Sequence, residues 1–296
     1  MAERDAFAVP APAKVNLYLH VVGRRSDGFH LLDSLIVFAG VGDTIEVRPS
    51  AALIFAVEGP MAEGVPANDD NLVPKAARAL AAAAGIEARA EIRLIKRLPM
   101  AAGVGGGSAD AAATLRALKR LWKLDVDDAT MSAIALGLGA DVPVCLAGRA
   151  AFVGGIGEAI DPASPLPRCW IVLVNPGVPA STPAVFKARR GAFSETARFS
   201  ESPKDASAFA ALLQSRRNDL TAAALTVAPE IGRVLDALEK CPGTLLARMS
   251  GSGATCFGLF GDEGAATAAA LALNRSHPDW WVQAGSMETD ATRLES

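Results

Sequence analysis

The chain has 296 residues, 51% of them hydrophobic and 21% charged, with a formal net charge of −3. At roughly 150 residues per domain that is chain for about two domains, and its apolar content excludes disorder as the main state. There is no basic excess for nucleic acid or an anionic membrane surface, so any phosphate chemistry must rest on local donors.

Residues 13–22 alternate apolar at Val15, Leu17, Leu19 and Val21, which predicts a strand carrying Lys14, Asn16, Tyr18 and His20 on its other face. A turn with Asp27-Gly28 follows, then strands over 31–38, 43–48 and 53–57. The Ala-rich stretch 71–85 starts after an Asp69-Asp70-Asn71 capping cluster and ends at Gly85, as a helix should. Residues 91–96 read as a strand. After Pro99 comes Gly103-Val104-Gly105-Gly106-Gly107-Ser108, with Ser108 expected to cap a helix reaching about Trp122. A second helix is expected over 128–138, before Gly139-Ala140-Asp141-Val142-Pro143. The glycines and prolines of 154–168 mark a domain boundary. Beyond it, 170–174 reads as a strand, 209–213 and 231–238 as helices, and 245–249 and 255–260 as strands joined by Ser250-Gly251-Ser252-Gly253. The irregular alternation favours an α+β fold.

Cys145, Cys169, Cys241 and Cys256 show no CxxC spacing, and only His20, His30 and His277 could assist them. Neither a structural zinc site nor a disulfide framework is expected, and no metal ligands are assigned. The cysteines read as small buried hydrophobes in a reducing compartment. Residues 1–7 mix acid and base without an apolar signal core, and the longest apolar runs, 79–86 and 265–273, fall short of the roughly 20 residues a spanning helix needs. The expectation is a cytoplasmic protein with no membrane or nucleic-acid partner, monomeric or weakly dimeric.

The glycine run is the sharpest local signal, because glycines let backbone N–H groups approach a phosphate and the following helix adds its positive end. It lacks the Gly-Lys-Ser/Thr of a P-loop and the third glycine of a dinucleotide fingerprint, so a plain strand-to-helix connector stays open. Taken singly, Asp141 reads as a turn or cap residue, Lys14 as an exposed strand residue, and Ser250–Gly253 as a turn.

Their order changes the reading. Pro12-Ala13-Lys14-Val15-Asn16-Leu17, Leu98-Pro99-Met100-Ala101-Ala102-Gly103 continuing to Ala112, and Met249-Ser250-Gly251-Ser252-Gly253-Ala254 resemble the three motifs of the GHMP kinase superfamily. Gly23-Arg24-Arg25-Ser26-Asp27-Gly28-Phe29-His30, Leu138–Pro143, Asn175-Pro176-Gly177-Val178, Thr182-Pro183 and Phe186-Lys187 narrow it to a branch acting on a cytidine-diphosphate sugar alcohol of isoprenoid precursor synthesis.

The resemblance implies a two-domain α+β fold, with an ATP-binding domain over 1–157, a C-terminal domain over 158–296 and the active site in the cleft between them. It implies ATP as co-substrate with Mg²⁺. Gly103, Gly105, Gly106, Gly107 and Ser108 match the phosphate loop, and Asn71, Lys96 and Met100 the adenosine pocket. Asp141 matches the catalytic base, Lys14 the lysine beside it and Asn16 a residue near the substrate hydroxyls. Phe29, His30, Thr182 and Phe186 match the cytidine-diphosphate side, with Phe29 and Phe186 expected to sandwich the base. Ala101, Val104 and Ala109 stand where the common loop has Gly, Leu and Ser, and Phe29 where a tyrosine is common. Two alternatives remain: another small-molecule kinase of the superfamily (mevalonate, homoserine or galactose class), and a nucleotide-binding regulator without catalysis.

Overall fold

The computed structural model describes residues 6–295. Met1 to Asp5, part of the segment read above as lacking a signal core, lie outside them, as does Ser296. The chain opens with two long antiparallel strands, β1 (Phe7–Arg24) and β2 (His30–Arg48), closed by a tight turn in which Gly28 N–H donates to the Arg25 carbonyl at 3.0 Å. Sequence reading breaks β2 at Gly40 and Gly42, yet the strand runs through. A Cβ on Gly42 would lie 2.4 Å from the Ala11 carbonyl oxygen, so this glycine marks a close strand approach and not a strand end. The polar face of β1 is buried as well as the apolar one: Lys14, Asn16, Tyr18 and His20 are all buried.

β3 (Leu53–Glu58) pairs parallel with β4 (Ala90–Ile95), and α1 (Leu72–Ala83) lies between them in the chain. Asn71 caps α1, its side chain accepting from Val73 N–H at 3.0 Å. The helices α2 (Gly106–Leu121), α3 (Asp128–Leu138) and α4 (Val142–Ala147) follow, then β5 (Ala151–Gly155) and β6 (Ala159–Pro162). β6 begins just beyond residue 157 and still pairs with β5.

The second half contains β7 (Trp170–Asn175), α5 (Thr182–Ala188), α6 (Ala206–Gln214), α7 (Thr221–Val227), α8 (Glu230–Glu239), β8 (Thr244–Met249), β9 (Cys256–Phe260), α9 (Glu263–Ser276) and β10 (Trp281–Glu288). Its strands run in the order β10-β7-β9-β8, all antiparallel. The end of β10 reaches β2 through Met287 and Glu288, so the two sheets join along one path. The chain end then returns to the first half, where Arg116 pairs with Glu295 at 2.5 Å.

Three buried apolar clusters fill the molecule. One lies between the first sheet and α1 to α4, one under the helices of the second sheet, and one joins Val15, Leu17 and Tyr18 of β1 to Ile171, Leu173 and Phe257 of the second half. All four cysteines are free, and Cys145, Cys169 and Cys256 are buried. Among the described residues no helix is long and apolar enough to cross a membrane.

Candidate active site

The glycine run lies at the N-terminus of α2. The cap position is Gly105 in the left-handed conformation (φ +63°), and Ser108 is the third helical residue, so the expected Ser108 cap is corrected. Only a glycine adopts that conformation without strain. No side chain caps α2. Its first-turn N–H groups at Gly106, Gly107 and Ser108 therefore face the cleft together with the positive helix end. Ala101, where the common loop has glycine, also sits at positive φ (+49°), an uncommon conformation for a residue with a Cβ.

The second glycine loop holds the first in place. Ser250 Oγ donates to the Gly103 carbonyl at 3.0 Å, and Thr255 N–H donates to the Ala102 carbonyl at 3.1 Å. A Cβ on Gly103 would meet the Ser250 carbonyl oxygen at 2.6 Å, so the two loops touch backbone to backbone. Asn218, which sequence reading missed, fixes the second loop by donating to the carbonyls of Met249 and Gly251, both at 2.8 Å. Its only signal in sequence is an asparagine between two charged residues and an apolar helix.

Lys14 and Asp141, 127 positions apart, meet at Nζ–Oδ2 3.0 Å beside the loop. The Lys14 side chain is 5% exposed and that of Asp141 42%, so the lysine is built in while the carboxylate opens on the cleft. Asp141 occupies the cap position of α4 but makes no cap hydrogen bond. The cap reading therefore gives its location and not its role. Asn16 donates through Nδ2 to Ser34 Oγ at 2.8 Å, and its buried Oδ1 has no partner within the protein.

These groups line one cavity of ≈ 450 Å³ between the halves: Lys14, Asn16 and Ser34 from the first strand pair, the glycine loop, Asp141, and Thr182, Phe186, Gly251 and Ser252 from the second half. It shares Leu32, Ile156, Thr182 and Phe186 with a neighbouring pocket of ≈ 670 Å³, which also takes in Phe29 and His30. There His30 stacks on Phe186 with ring centroids 4.9 Å apart. Phe29 is 60% exposed at the pocket wall. The ring stacked on Phe186 is thus that of His30, not that of Phe29. Burial, then the charges of Arg24 and Arg189, lower the His30 pKa and favour the neutral imidazole.

Of the expected adenosine-side residues, none lines this cavity. Asn71 is engaged in capping α1, next to Leu72, which does line it. Met100 is exposed. The Lys96 side chain lies buried between Asp43 and Asp110, at 2.5 and 2.9 Å, beneath Gly106. Burial disfavours its charge, but the two carboxylates outweigh that and raise its pKa. Burial pushes Asp110 up to about 8, with Lys96 opposing. Lys96 thus braces the loop from below.

Gly105→Val provides a test of the loop. The new Cβ would lie 3.2 Å from Lys14 Cβ and 3.4 Å from its Cε, at a positive φ that costs a branched residue roughly 1–2 kcal/mol or more. ATP affinity is expected to fall far more than affinity for the second substrate, and calorimetric titration of each ligand measures both. Equal loss of the two would contradict a phosphate role.

The fold and the cleft define a small-molecule kinase of the GHMP type. The GHMP kinases N terminal domain matches residues 71–149, and the GHMP kinases C terminal domain matches residues 192–279. The 4-diphosphocytidyl-2-C-methyl-D-erythritol kinase of Paramagnetospirillum magneticum is 55% identical over 277 residues, 94% of this chain and 97% of that protein. The enzyme of the same name from Rhodospirillum rubrum is 51% identical over 290 residues, 98% of this chain and 95% of that one. A crystal structure of a 4-(cytidine 5'-diphospho)-2C-methyl-D-erythritol kinase superposes with a TM-score of 0.78 at 37% identity, covering 95% of this chain and 99% of that chain. The chain belongs to the 4-diphosphocytidyl-2-C-methyl-D-erythritol kinase family.

Proposed function

We propose that the protein transfers the γ-phosphoryl group of ATP to the 2-hydroxyl of 4-diphosphocytidyl-2-C-methyl-D-erythritol, a step of non-mevalonate isoprenoid precursor synthesis, with Asp141 as general base. The observation that carries this reading is the 3.0 Å Lys14–Asp141 pair, set between a glycine-loop helix N-terminus and an aromatic pocket. A hydroxyl is a poor nucleophile at neutral pH, and a carboxylate within hydrogen-bond reach takes its proton as the P–O bond forms. Lys14 holds one carboxylate oxygen, which orients the other toward the acceptor, and its charge offsets that of the transferring group. The N–H groups of Gly106, Gly107 and Ser108 bind phosphate oxygens. Asn16 offers its unpartnered oxygen to a substrate hydroxyl.

Among the described residues no cluster of three or more His, Cys, Asp or Glu could hold an ion alone. Mg²⁺ commonly binds through one or two protein oxygens plus substrate phosphates. Asp110 pairs with Lys96 through Oδ2, its Oδ1 has no partner within the protein, and it does not line the cleft, so Ser108 is the cleft-lining loop side chain that would hold the ion, which would neutralise phosphate charge.

An ATP-consumption assay offering the cytidyl substrate beside mevalonate tests the proposal. Turnover confined to the cytidyl substrate is expected, and preference for mevalonate would contradict it. The pocket gives a further expectation. Base–aromatic stacking is worth roughly 1–3 kcal/mol per base. Phe29→Ala and Phe186→Ala should therefore each raise the KM for the cytidyl substrate by about one to two powers of ten, with the KM for ATP nearly constant. The exposure of Phe29 makes its alanine variant nearly neutral in thermal stability, so a changed KM there reads binding directly. Unchanged cytidyl KM values in both variants would remove the stacking role. Neutral His30 presents one donor and one acceptor to a base edge, and His30→Ala is expected to narrow the preference for cytidine over uridine substrates.

A further inference from the structure

Asp141 stands at the front of α4 and the phosphate-binding N–H groups at the front of α2, so transfer between them depends on how the two helices are fixed to each other. α4 spans six residues, and a helix that short is marginal by its own hydrogen bonds. Its side carrying Pro143, Leu146 and Ala147 borders an open pocket of ≈ 580 Å³, so packing leaves that side room to shift. The carbonyls of Cys145 and Leu146, in its last turn, have no donor within the helix.

Arg116 supplies donors there. It stands on α2, ten residues beyond Gly106, between the buried Leu115 and Ala117. Its Nη1 donates to the Cys145 carbonyl at 3.0 Å and lies 3.5 Å from that of Leu146. Its Nη2 donates at 3.4 Å to the carbonyl of Pro10, four positions before Lys14 on β1. Its Nε donates at 2.5 Å to Glu295, in the short helical turn Ala291–Glu295. That turn also touches α4, since Ala291 N–H donates at 2.8 Å to the carbonyl of Gly148, the residue just past the helix. A guanidinium is a planar fork with five donors, and here the Glu295 carboxylate fixes its plane. The glycine-loop helix, the helix that bears Asp141 and the strand that bears Lys14 thus meet at one side chain.

We propose that Arg116 is a positioning residue for phosphoryl transfer: it locks the far end of α4 to α2 and β1 and thereby sets Asp141 against the glycine loop and Lys14. This rests on the general-base role given to Asp141 above. Arg116 lines the pocket behind α4 and not the cleft, so it acts through the helix and not on the substrate. A short helix freed at one end tilts at the other, and a misplacement of about 1 Å between reacting groups costs on the order of 10²-fold in rate. Substrate and ATP contacts are untouched, so the effect falls on kcat and not on KM.

The test is a double-mutant cycle on the full chain: wild type, Arg116→Met, Asp141→Asn and the two combined, with kcat and both KM values per folded molecule and hydrogen exchange of the amides of 144–148. Methionine keeps an apolar stem and removes every donor. Arg116→Met is expected to lower kcat roughly 10–100-fold with each KM within about threefold. In the Asp141→Asn background the same change should cost less than about threefold, because no base is left to place. Exchange at 144–148 should quicken about tenfold or more in Arg116→Met, with that of α1 unchanged. The same fold-loss in both backgrounds, or a lower melting temperature with kcat per folded molecule kept, would make Arg116 merely structural and overturn the proposal. Should Arg116→Met not fold, Arg116→Lys keeps the charge and loses the fork, and wild-type kcat there would overturn it equally. Asp141→Asn at the wild-type rate rejects the base and the positioning role together, whereas an impaired Asp141→Asn beside an unimpaired Arg116→Met rejects the positioning role alone. If the wild type does not turn over the cytidyl substrate, the substrate reading fails and exchange decides: quickened exchange at 144–148 upholds the lock on α4, and unchanged exchange overturns it.

Discussion

Asp141→Asn is expected to lower turnover by roughly 10²–10⁴, the range for loss of a general base, with ATP affinity little changed. The geometry isolates the effect. Asparagine keeps the shape of the side chain and retains an oxygen for the Lys14 Nζ contact at 3.0 Å, while the group loses its basicity. The carboxylate is 42% exposed and makes no cap hydrogen bond, so α4 does not depend on it. The charge left behind is the buried Lys14, still held by the asparagine oxygen, so stability is expected to fall by less than the roughly 3–5 kcal/mol of a broken buried pair, and a thermal melt reads stability apart from turnover. Single-turnover kinetics with preloaded ATP measure the loss directly. Near-normal turnover would leave Asp141 with only its place at the start of α4.

Lys14→Met is expected to cost turnover of the order of 10²–10³, the usual consequence of removing one preorganised electrostatic contact to the reacting group. A lysine on an exposed strand face would tolerate the change. This one is buried, with its stem against Gly105. Methionine preserves that apolar contact. Breaking a buried ion pair destabilises by roughly 3–5 kcal/mol when the charge left behind is buried. Here the charge left behind is Asp141, which water reaches, so the stability loss should be nearer 1 kcal/mol. Thermal melts and kcat on the same samples separate the two effects. A large loss of melting temperature with activity per folded molecule preserved would make Lys14 structural.

Legibility in the sequence followed the range over which each signal acts. The helices α1, α2 and α3 were readable because caps and periodicity are local: Asn71, the glycine run and the stretch from Asp128 announce them. The elements α4, α5 and α7 span only six or seven residues each, too few to display a helical period. In β1, alternation located the strand but gave the wrong environment for Lys14. An alternating strand reads as half-exposed, whereas here the glycine loop and the second half cover the polar face. The Lys14–Asp141 pair itself was legible only through the order of the motifs, since its members stand 127 positions apart. The partners of Lys96 left no trace of that kind: Asp43 lies 53 positions before it on a different strand.

The account turns on where the phosphoryl group goes. The most direct measurement is phosphorus NMR of the product formed from ATP and 4-diphosphocytidyl-2-C-methyl-D-erythritol by the wild-type chain. One new phosphate monoester on the 2-oxygen, formed in equal amount with ADP and absent with Asp141→Asn over the same time, is the predicted result. ADP released without that ester, or the ester formed at the wild-type rate by the Asp141→Asn chain, would contradict it.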